Sequence, residues 1–217
     1  MRLLDQALEL LFPRKCVLCQ RLLERGELDL CRRCRADSPE FRSRSEKIRY
    51  ISKVTALWHY EADVRRSLLR YKFYNVRSFS ESYGRLLSMR IMQELDDVDV
   101  ITWVPVSRRR RRQRGYDQVE LIARSVSREL GLPLAACLIK HIDTKPNSGL
   151  TTAEERRANV LGAYRLTDGA CVEGKRILLL DDIVTTGATS SECARVLLSG
   201  GAKEVYLAAV AAARKEH

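Results

Sequence analysis

Ile177-Leu178-Leu179-Leu180-Asp181-Asp182-Ile183-Val184-Thr185-Thr186-Gly187-Ala188-Thr189 is the stretch from which the rest of the chain is read. Four aliphatic residues in a row can be buried on both faces, the pattern of a strand inside a parallel sheet. Two acids follow, then a threonine-rich turn opening a helix marked by Thr189, Cys193, Val196 and Leu197. In such a turn Gly187 lets a ligand approach the backbone. Amide N–H groups at the helix start bind phosphate oxygens, and threonine hydroxyls add donors. Adjacent carboxylates at a strand end accept hydrogen bonds from a vicinal diol, or help hold a hydrated magnesium ion. A sugar phosphate satisfies both halves. Separately, the acids could cap a helix and the turn could be an ordinary strand-to-helix connection; their combination carries the reading. No Gly-Lys-Ser/Thr loop and no GxGxxG accompanies it, which argues against nucleoside triphosphatases and dinucleotide enzymes.

Outward from this strand the periodicity alternates. Residues 54–60 suit a strand, and Val64, Leu68 and Leu69 mark a helix leading to Lys72. Phe79, Tyr83, Leu86, Leu87 and Ile91 trace the buried side of a longer helix, and the β-branched run 98–106 reads as a central strand. Val119, Ile122, Ala123, Val126 and Leu130 give another helix, stopped by Gly131 and Pro133. Gly200 and Gly201 end the helix after Thr189, and residues 205–211 form the last strand. Strand–helix alternation predicts an α/β fold, a parallel sheet with helices on both faces, because parallel strands need crossover helices. Ligands of such sheets sit beyond the carboxyl ends of the strands, here just after Val104 and just after Leu180.

Ahead of this domain, Cys16-x2-Cys19 and Cys31-x2-Cys34 have eleven residues between the pairs. Two such turns facing each other complete a tetrahedron of thiolates around zinc, with no position left for substrate, so the metal is structural. Two disulfides are the competing use of the same residues. They are disfavoured in a chain expected in the reducing cytoplasm. Cys137, Cys171 and Cys193 lack the paired spacing and are expected to be buried free thiols. The polar, basic segment 37–50 reads as a linker. It divides a module at 1–36 from a main domain at 51–217.

The net charge of +11 points to anionic partners, and Arg108, Arg109, Arg110, Arg111 and Arg112, with Arg114 beyond, concentrate it at one place. A solvated basic loop is the other use of that run. Leu3, Leu4, Ala7, Leu8 and Leu11 fall on one helical face interrupted by Asp5 and Glu9, an amphipathic helix rather than an export signal. No apolar run reaches the about 18 residues needed to cross a bilayer, so no membrane insertion is expected.

The acid pair with its threonine-glycine turn resembles the phosphoribosyl pyrophosphate motif of type I phosphoribosyltransferases. With the cysteine quartet, Val104-Pro105 followed by arginines, and Arg114-Gly115-Tyr116-Asp117-Gln118, nearly the whole chain resembles the ComF family. That family joins a zinc ribbon to a phosphoribosyltransferase domain and is associated with DNA uptake during bacterial competence. Tyr116 and Asp117 stand where the family more usually has Phe and Asn. Residues 148–160 resemble its Gln-x-x-Leu-Ser-x-x-Glu-Arg-x-x-Asn-Val segment, without the first glutamine and with one extra residue before Glu155; Thr152 and Glu155 also have capping-box spacing. The resemblance implies that Asp181 and Asp182 contact the ribose hydroxyls and that Thr185, Thr186, Gly187, Ala188 and Thr189 surround the 5-phosphate. Pro105, Val106, Ser107 and Arg108 would form the diphosphate loop, and residues 141–162 occupy the place of the loop that closes over the site in type I enzymes. Lys72, Arg114, Lys145 and Arg156 are further contacts, with solvated side chains as the other use of those charges.

Magnesium would accompany phosphoribosyl pyrophosphate or a related nucleotide, and zinc would fill the cysteine site. An enzyme of this kind transfers the ribosyl 5-phosphate unit to a nitrogen nucleophile as pyrophosphate leaves, its oxocarbenium-like transition state stabilised by charge and positioning. A second class stays open: a non-enzymatic scaffold or single-stranded nucleic-acid-binding protein, acting with competence-machinery proteins and retaining the fold.

Overall fold

The computed structural model describes residues 13–42, 47–74, 76–95, 97–144 and 152–214. The amphipathic stretch at 3–11, Lys145 and residues 148–151 lie outside them. In chain order the elements are α1 (Arg32–Asp37), β1 (Lys53–His59), α2 (Ala62–Phe73), α3 (Phe79–Glu94), β2 (Val100–Trp103), α4 (Arg108–Arg114), α5 (Gln118–Leu130), β3 (Leu138–Lys140), α6 (Ala153–Val160), β4 (Tyr164–Leu166), β5 (Arg176–Val184), α7 (Ala188–Ser199) and β6 (Glu204–Ala212).

β1, β6, β5 and β2 lie side by side in that order, and all pairs are parallel, so every carboxyl end opens on one edge of the sheet. The aliphatic run of β5 explains its central place. Ile177 and Leu179 face the layer formed by α7 and the β3–β4 pair, whereas Leu178 and Leu180 face α2, α3 and α5. All four side chains are fully buried, each contributing about 1.5–3 kcal/mol relative to exposure. On the second face α3 crosses α5 at Gly84, where an added Cβ would stand 2.1 Å from the Ser125 hydroxyl oxygen. That approach fixes how closely the two helices pack.

Several elements depart from the periodicity. The strand expected over 98–106 is shorter: β2 ends at Trp103, the Val104 amide still donates to the Leu180 carbonyl (2.9 Å), and Pro105 has no N–H with which to continue. β5 is longer than its aliphatic core, because Asp181 pairs with Ala209 and Val184 with Ala212 on β6. The arginine run forms a helix, α4, whose start is capped by the Ser107 hydroxyl accepting from the Arg110 amide (3.3 Å) and which ends at Gly115 in the left-handed region. β3 and β4 form a short antiparallel pair, Leu138 against Leu166, that periodicity does not announce. Cys137 and Cys193 are buried free thiols as expected, but Cys171 is exposed, in the turn region before β5.

Both sheet edges are occupied by extended segments. At β1, the Phe41 amide donates to Leu57 and the His59 amide to Pro39, around an antiparallel Glu40–Trp58 bridge, so part of the 37–50 segment lies against the sheet. At β2, Ile101 exchanges hydrogen bonds with Pro133 (2.8 Å) and Ala135 (2.9 Å).

The cysteine module packs on the sheet domain. Val17 and Leu18, the residues between Cys16 and Cys19, are 1% and 2% exposed and share a core with α2 and α3. The Ser67 hydroxyl donates to the Val17 carbonyl, Arg70 Nη1 to the Leu18 carbonyl (3.1 Å), and Arg85 Nε to Asp29 (3.1 Å). Among the described residues no helix is long and apolar enough to cross a membrane.

Candidate functional site

β5 runs four residues past the end of β2, since Trp103 pairs with Leu180 and β5 ends at Val184. The backbone of Asp181 and Asp182 is therefore paired on the β6 side, while the β2 side falls away into the crevice. Both acids are buried, at 8% and 9% exposure. Asp181 Oδ1 accepts from the Asp182 amide (2.8 Å) and Oδ2 from the Ser190 hydroxyl on the first turn of α7 (3.3 Å). Lys72 Nζ, from the last turn of α2, stands 2.9 Å from the Asp182 carboxylate. Burial first, and then the neighbouring Asp182 charge, push the Asp181 carboxyl up to about 7, with Lys72 pulling the other way. Two adjacent carboxylates, presenting hard oxygen donors to a crevice, fit a magnesium ion better than a soft metal.

The turn follows directly. Gly187 sits at φ +74 as the N-cap of α7, a conformation that favours glycine. It is also covered: a Cβ there would meet Ile48 at 2.8 Å. Thr185 is exposed, Thr186 and Thr189 are half-buried, and the Thr186 hydroxyl oxygen accepts from the Ala188 amide (3.4 Å). The turn is thus open on the threonine flank and closed by an isoleucine over its glycine.

The loop after β2 uses its polar groups internally. Asp117 Oδ2 accepts from the Val106 amide (3.0 Å), while its Oδ1 accepts from Val119 (3.0 Å) and Glu120 (3.2 Å), capping α5. Burial is the main cause that raises the Asp117 carboxyl above its usual range, with backbone donors opposing it. Tyr116 and Tyr71 lock the same corner, the Tyr116 hydroxyl donating to the Tyr71 carbonyl (2.9 Å) and the Tyr71 hydroxyl to the Gln118 carbonyl (2.7 Å). Ser107 is buried as the α4 cap, Arg108 is exposed, and Pro105 is half-buried. Arg111 reaches Glu120 (3.2 Å), and Arg114 donates to Gln118 (2.9 Å) with its guanidinium 5.2 Å from the Phe73 ring centre. Among the further loop contacts, Lys72 lies on the acid pair, Arg114 on the β2 side, and Arg156 on α6, which packs against α7; Lys145 is outside the described residues.

Four contributors went unrecognised as such in the sequence. Ser190 supports Asp181, and Asp117, although inside the quoted motif, carries the loop through its carboxylate. Its spacing to Glu120 is a capping signal that could have revealed it. Lys140 Nζ, from β3, donates to Thr144 (2.7 Å) above the Tyr164 ring; burial first, and then Arg110, push it down to about 8, with Asp181 opposing. Ile48 had no signal, since it belongs to the segment read as a linker.

A second constellation lies in the amino-terminal module. The thiol sulfurs of Cys16, Cys19, Cys31 and Cys34 lie within 4.8 Å of one another, with the Cys34 amide 3.5 Å from the Cys31 sulfur. Burial, then the sulfurs of Cys19 and Cys31, raise the Cys34 thiol, a penalty a soft cation removes by stabilising thiolates. The four-sulfur set fits zinc, whose four tetrahedral positions these thiolates would fill.

A family model described as the phosphoribosyl transferase domain matches residues 120–217. Competence protein F of Haemophilus influenzae is 28% identical over 162 residues, covering 71% of this chain and 70% of that protein. The DNA utilization protein YhgH of Escherichia coli O157:H7 is 30% identical over 141 residues, 63% of this chain and 61% of that one. Competence protein ComFC of Bacillus subtilis is 25% identical over 188 residues, covering 86% and 72%. Among solved structures, the glutamine phosphoribosylpyrophosphate amidotransferase of B. subtilis overlays 65% of this chain and 30% of its own at 23% identity with a TM-score of 0.46.

Proposed function

The chain is a ComF-family protein with a phosphoribosyltransferase-type α/β domain, and we propose that it binds phosphoribosyl pyrophosphate with magnesium at the carboxyl edge of its sheet, in the service of DNA uptake. The observation carrying this reading is the acid pair on the overhang of β5, with the threonine-glycine turn directly after it and the 104–108 loop across the crevice. In that arrangement Asp181 and Asp182 accept from the ribose hydroxyls, the turn holds the 5-phosphate, and the arginines at the start of α4 face the diphosphate. Magnesium would neutralise charge on the leaving diphosphate when bound. Lys72, held on Asp182 in the free protein, becomes available to the ligand once the diol takes its place. The same reading puts the chain in the cytoplasm, where the four thiols stay reduced for zinc.

Titration calorimetry with phosphoribosyl pyrophosphate and magnesium is the test. Wild-type protein is expected to bind, and the Asp181→Ala/Asp182→Ala double variant to lose at least about a hundredfold in affinity, given about 1.5–3 kcal/mol for each hydrogen bond to a charged group. Unchanged binding in the double variant sinks the site.

A second reading has its own observation. Phe73 and Tyr74 are 64% and 75% exposed, with the Arg114 guanidinium over the Phe73 ring, an aromatic-and-arginine surface of the kind on which unpaired bases stack. Binding of single-stranded DNA that weakens steeply with salt, without release of pyrophosphate in the presence of candidate bases, favours a non-enzymatic role.

A further inference from the structure

Bordering the phosphate turn, and lined by neither Asp181 nor Asp182, lies a cavity of about 350 Å³ whose basic wall has no role in the reading above. Thr186, Gly187 and Ala188 form its rim. The cavity runs along α7 past Ser191 to Arg195, and the 47–50 segment and the end of α6 close it.

Its charge is one-sided. Lys47, Arg49, Arg157 and Arg195 line it with a single acid, Glu192. That acid is already engaged: Glu192 accepts from Arg195 at 2.7 and 2.9 Å and from the Gly162 amide at 2.9 Å. Arg49 stacks over the Tyr50 ring at 4.7 Å, and among the described residues Lys47, Arg49 and Arg157 have no carboxylate partner. Ile48, Val160 and Leu161 supply the apolar wall. Three uncompensated cations in a concavity repel one another, and an anion bound there would be held by charge-assisted hydrogen bonds.

The position selects the kind of anion. Because the cavity's lining includes Thr186, Gly187 and Ala188 but neither Asp181 nor Asp182, an anion in it adjoins whatever phosphate the turn holds and is set apart from the acids read as ribose contacts. We propose that this cavity receives a second phosphoryl group joined through the ribose 5-phosphate, so that the protein prefers a ribose whose 5-phosphate is extended to one carrying a simple monoester. This rests on the reading of the turn as a 5-phosphate cradle. Two sources share the chemistry, a diphosphate-linked nucleotide and the phosphodiester chain of a single strand.

Calorimetry on the full chain with three probes separates the outcomes: ribose 5-phosphate, ADP-ribose, and the trinucleotide UpUpU, whose last ribose carries both a free diol and a 5′-phosphodiester. At least one extended probe is expected to bind about tenfold more tightly than ribose 5-phosphate, and which one identifies the linkage. In the Lys47→Ala/Arg157→Ala variant that advantage should disappear while the ribose 5-phosphate affinity stays within about twofold. Both side chains are exposed, and neither makes an ion pair among the described residues, so the variant should fold. Equal affinity for all three probes overturns the proposal, as does an equal loss for ribose 5-phosphate in the variant. If wild-type protein binds neither ribose 5-phosphate nor phosphoribosyl pyrophosphate, the cradle reading fails and the extension falls with it.

Discussion

Two strand-to-helix junctions meet at the carboxyl edge of the sheet, and they spend their polar groups in opposite ways. After β5, the acids are buried with few partners, and Lys72 is the one side-chain cation paired with them among the described residues. After β2, the Val106 amide, the Ser107 hydroxyl, Arg111 and Arg114 are tied to neighbours within the same corner. A junction with unmet electrostatic demand is poised for a ligand, whereas one that is internally satisfied serves as a rigid wall. The charge-rich arginine run is conspicuous in the sequence, yet the sparsely satisfied junction holds the stronger claim to the chemistry.

Four substitutions break or sharpen this contrast. Gly187→Ala should have the largest effect on folding: the left-handed backbone costs a non-glycine residue about 1–2 kcal/mol, and the Ile48 contact adds an overpacking cost of about 1–3 kcal/mol. Denaturant titration of Gly187→Ala and of Gly187→Ala/Ile48→Ala checks this, because the double variant should relieve the clash and keep the backbone strain. Asp117→Ala should destabilise by about 1–2 kcal/mol through loss of the α5 cap and weaken ligand binding by freeing Val106, while Asp117→Asn retains most of both. A wild-type-like midpoint in Asp117→Ala would mean that the wall stands without its tether.

Lys140 offers a test by pH. Its folded value of about 8 lies below the 10.5 of an ordinary lysine, so between these values the folded chain binds fewer protons than the unfolded one. Stability from this group is therefore present above pH 10.5 and lost as pH falls toward 8. Thermal melts of wild type and Lys140→Met between pH 7.5 and 9.5 should diverge accordingly, the variant gaining less stability with rising pH; parallel curves would show that the lysine titrates normally. The smallest effect is expected for Arg111→Ala, within about 0.5 kcal/mol, because its bridge to Glu120 leaves Arg111 60% exposed.

What the sequence disclosed and what it hid follow from the same physics. Four aliphatic residues buried on both faces announce β5 directly, since no amphipathic helix has that pattern. Its continuation through Asp181 and Asp182 is invisible because aspartate disfavours strands, and only pairing with β6 holds those residues extended. The arginine run carries no hydrophobic period, so α4 is legible only through Ser107 as its cap. β3 and β4, three residues each, are too short to show an alternation. The cysteine spacing predicted the sulfur cluster. The burial of Val17 and Leu18 against α2 could not be read there, because two apolar residues inside a knuckle have no period. Ile48 shows the limit most plainly: a basic, serine-rich stretch gives no hint that one of its residues covers the glycine of a turn nearly 140 positions later.

The two occupied margins of the sheet have a consequence for how this protein can be recruited. With the 39–41 segment laid along the carboxyl-terminal part of β1 and the 133–135 segment along Ile101 of β2, each outer strand already has part of its free edge paired. Docking by strand addition, and the self-stacking that begins the same way, are hindered where those segments lie. At those margins, contact with another macromolecule falls to side chains, which mutation can retune residue by residue without disturbing the sheet.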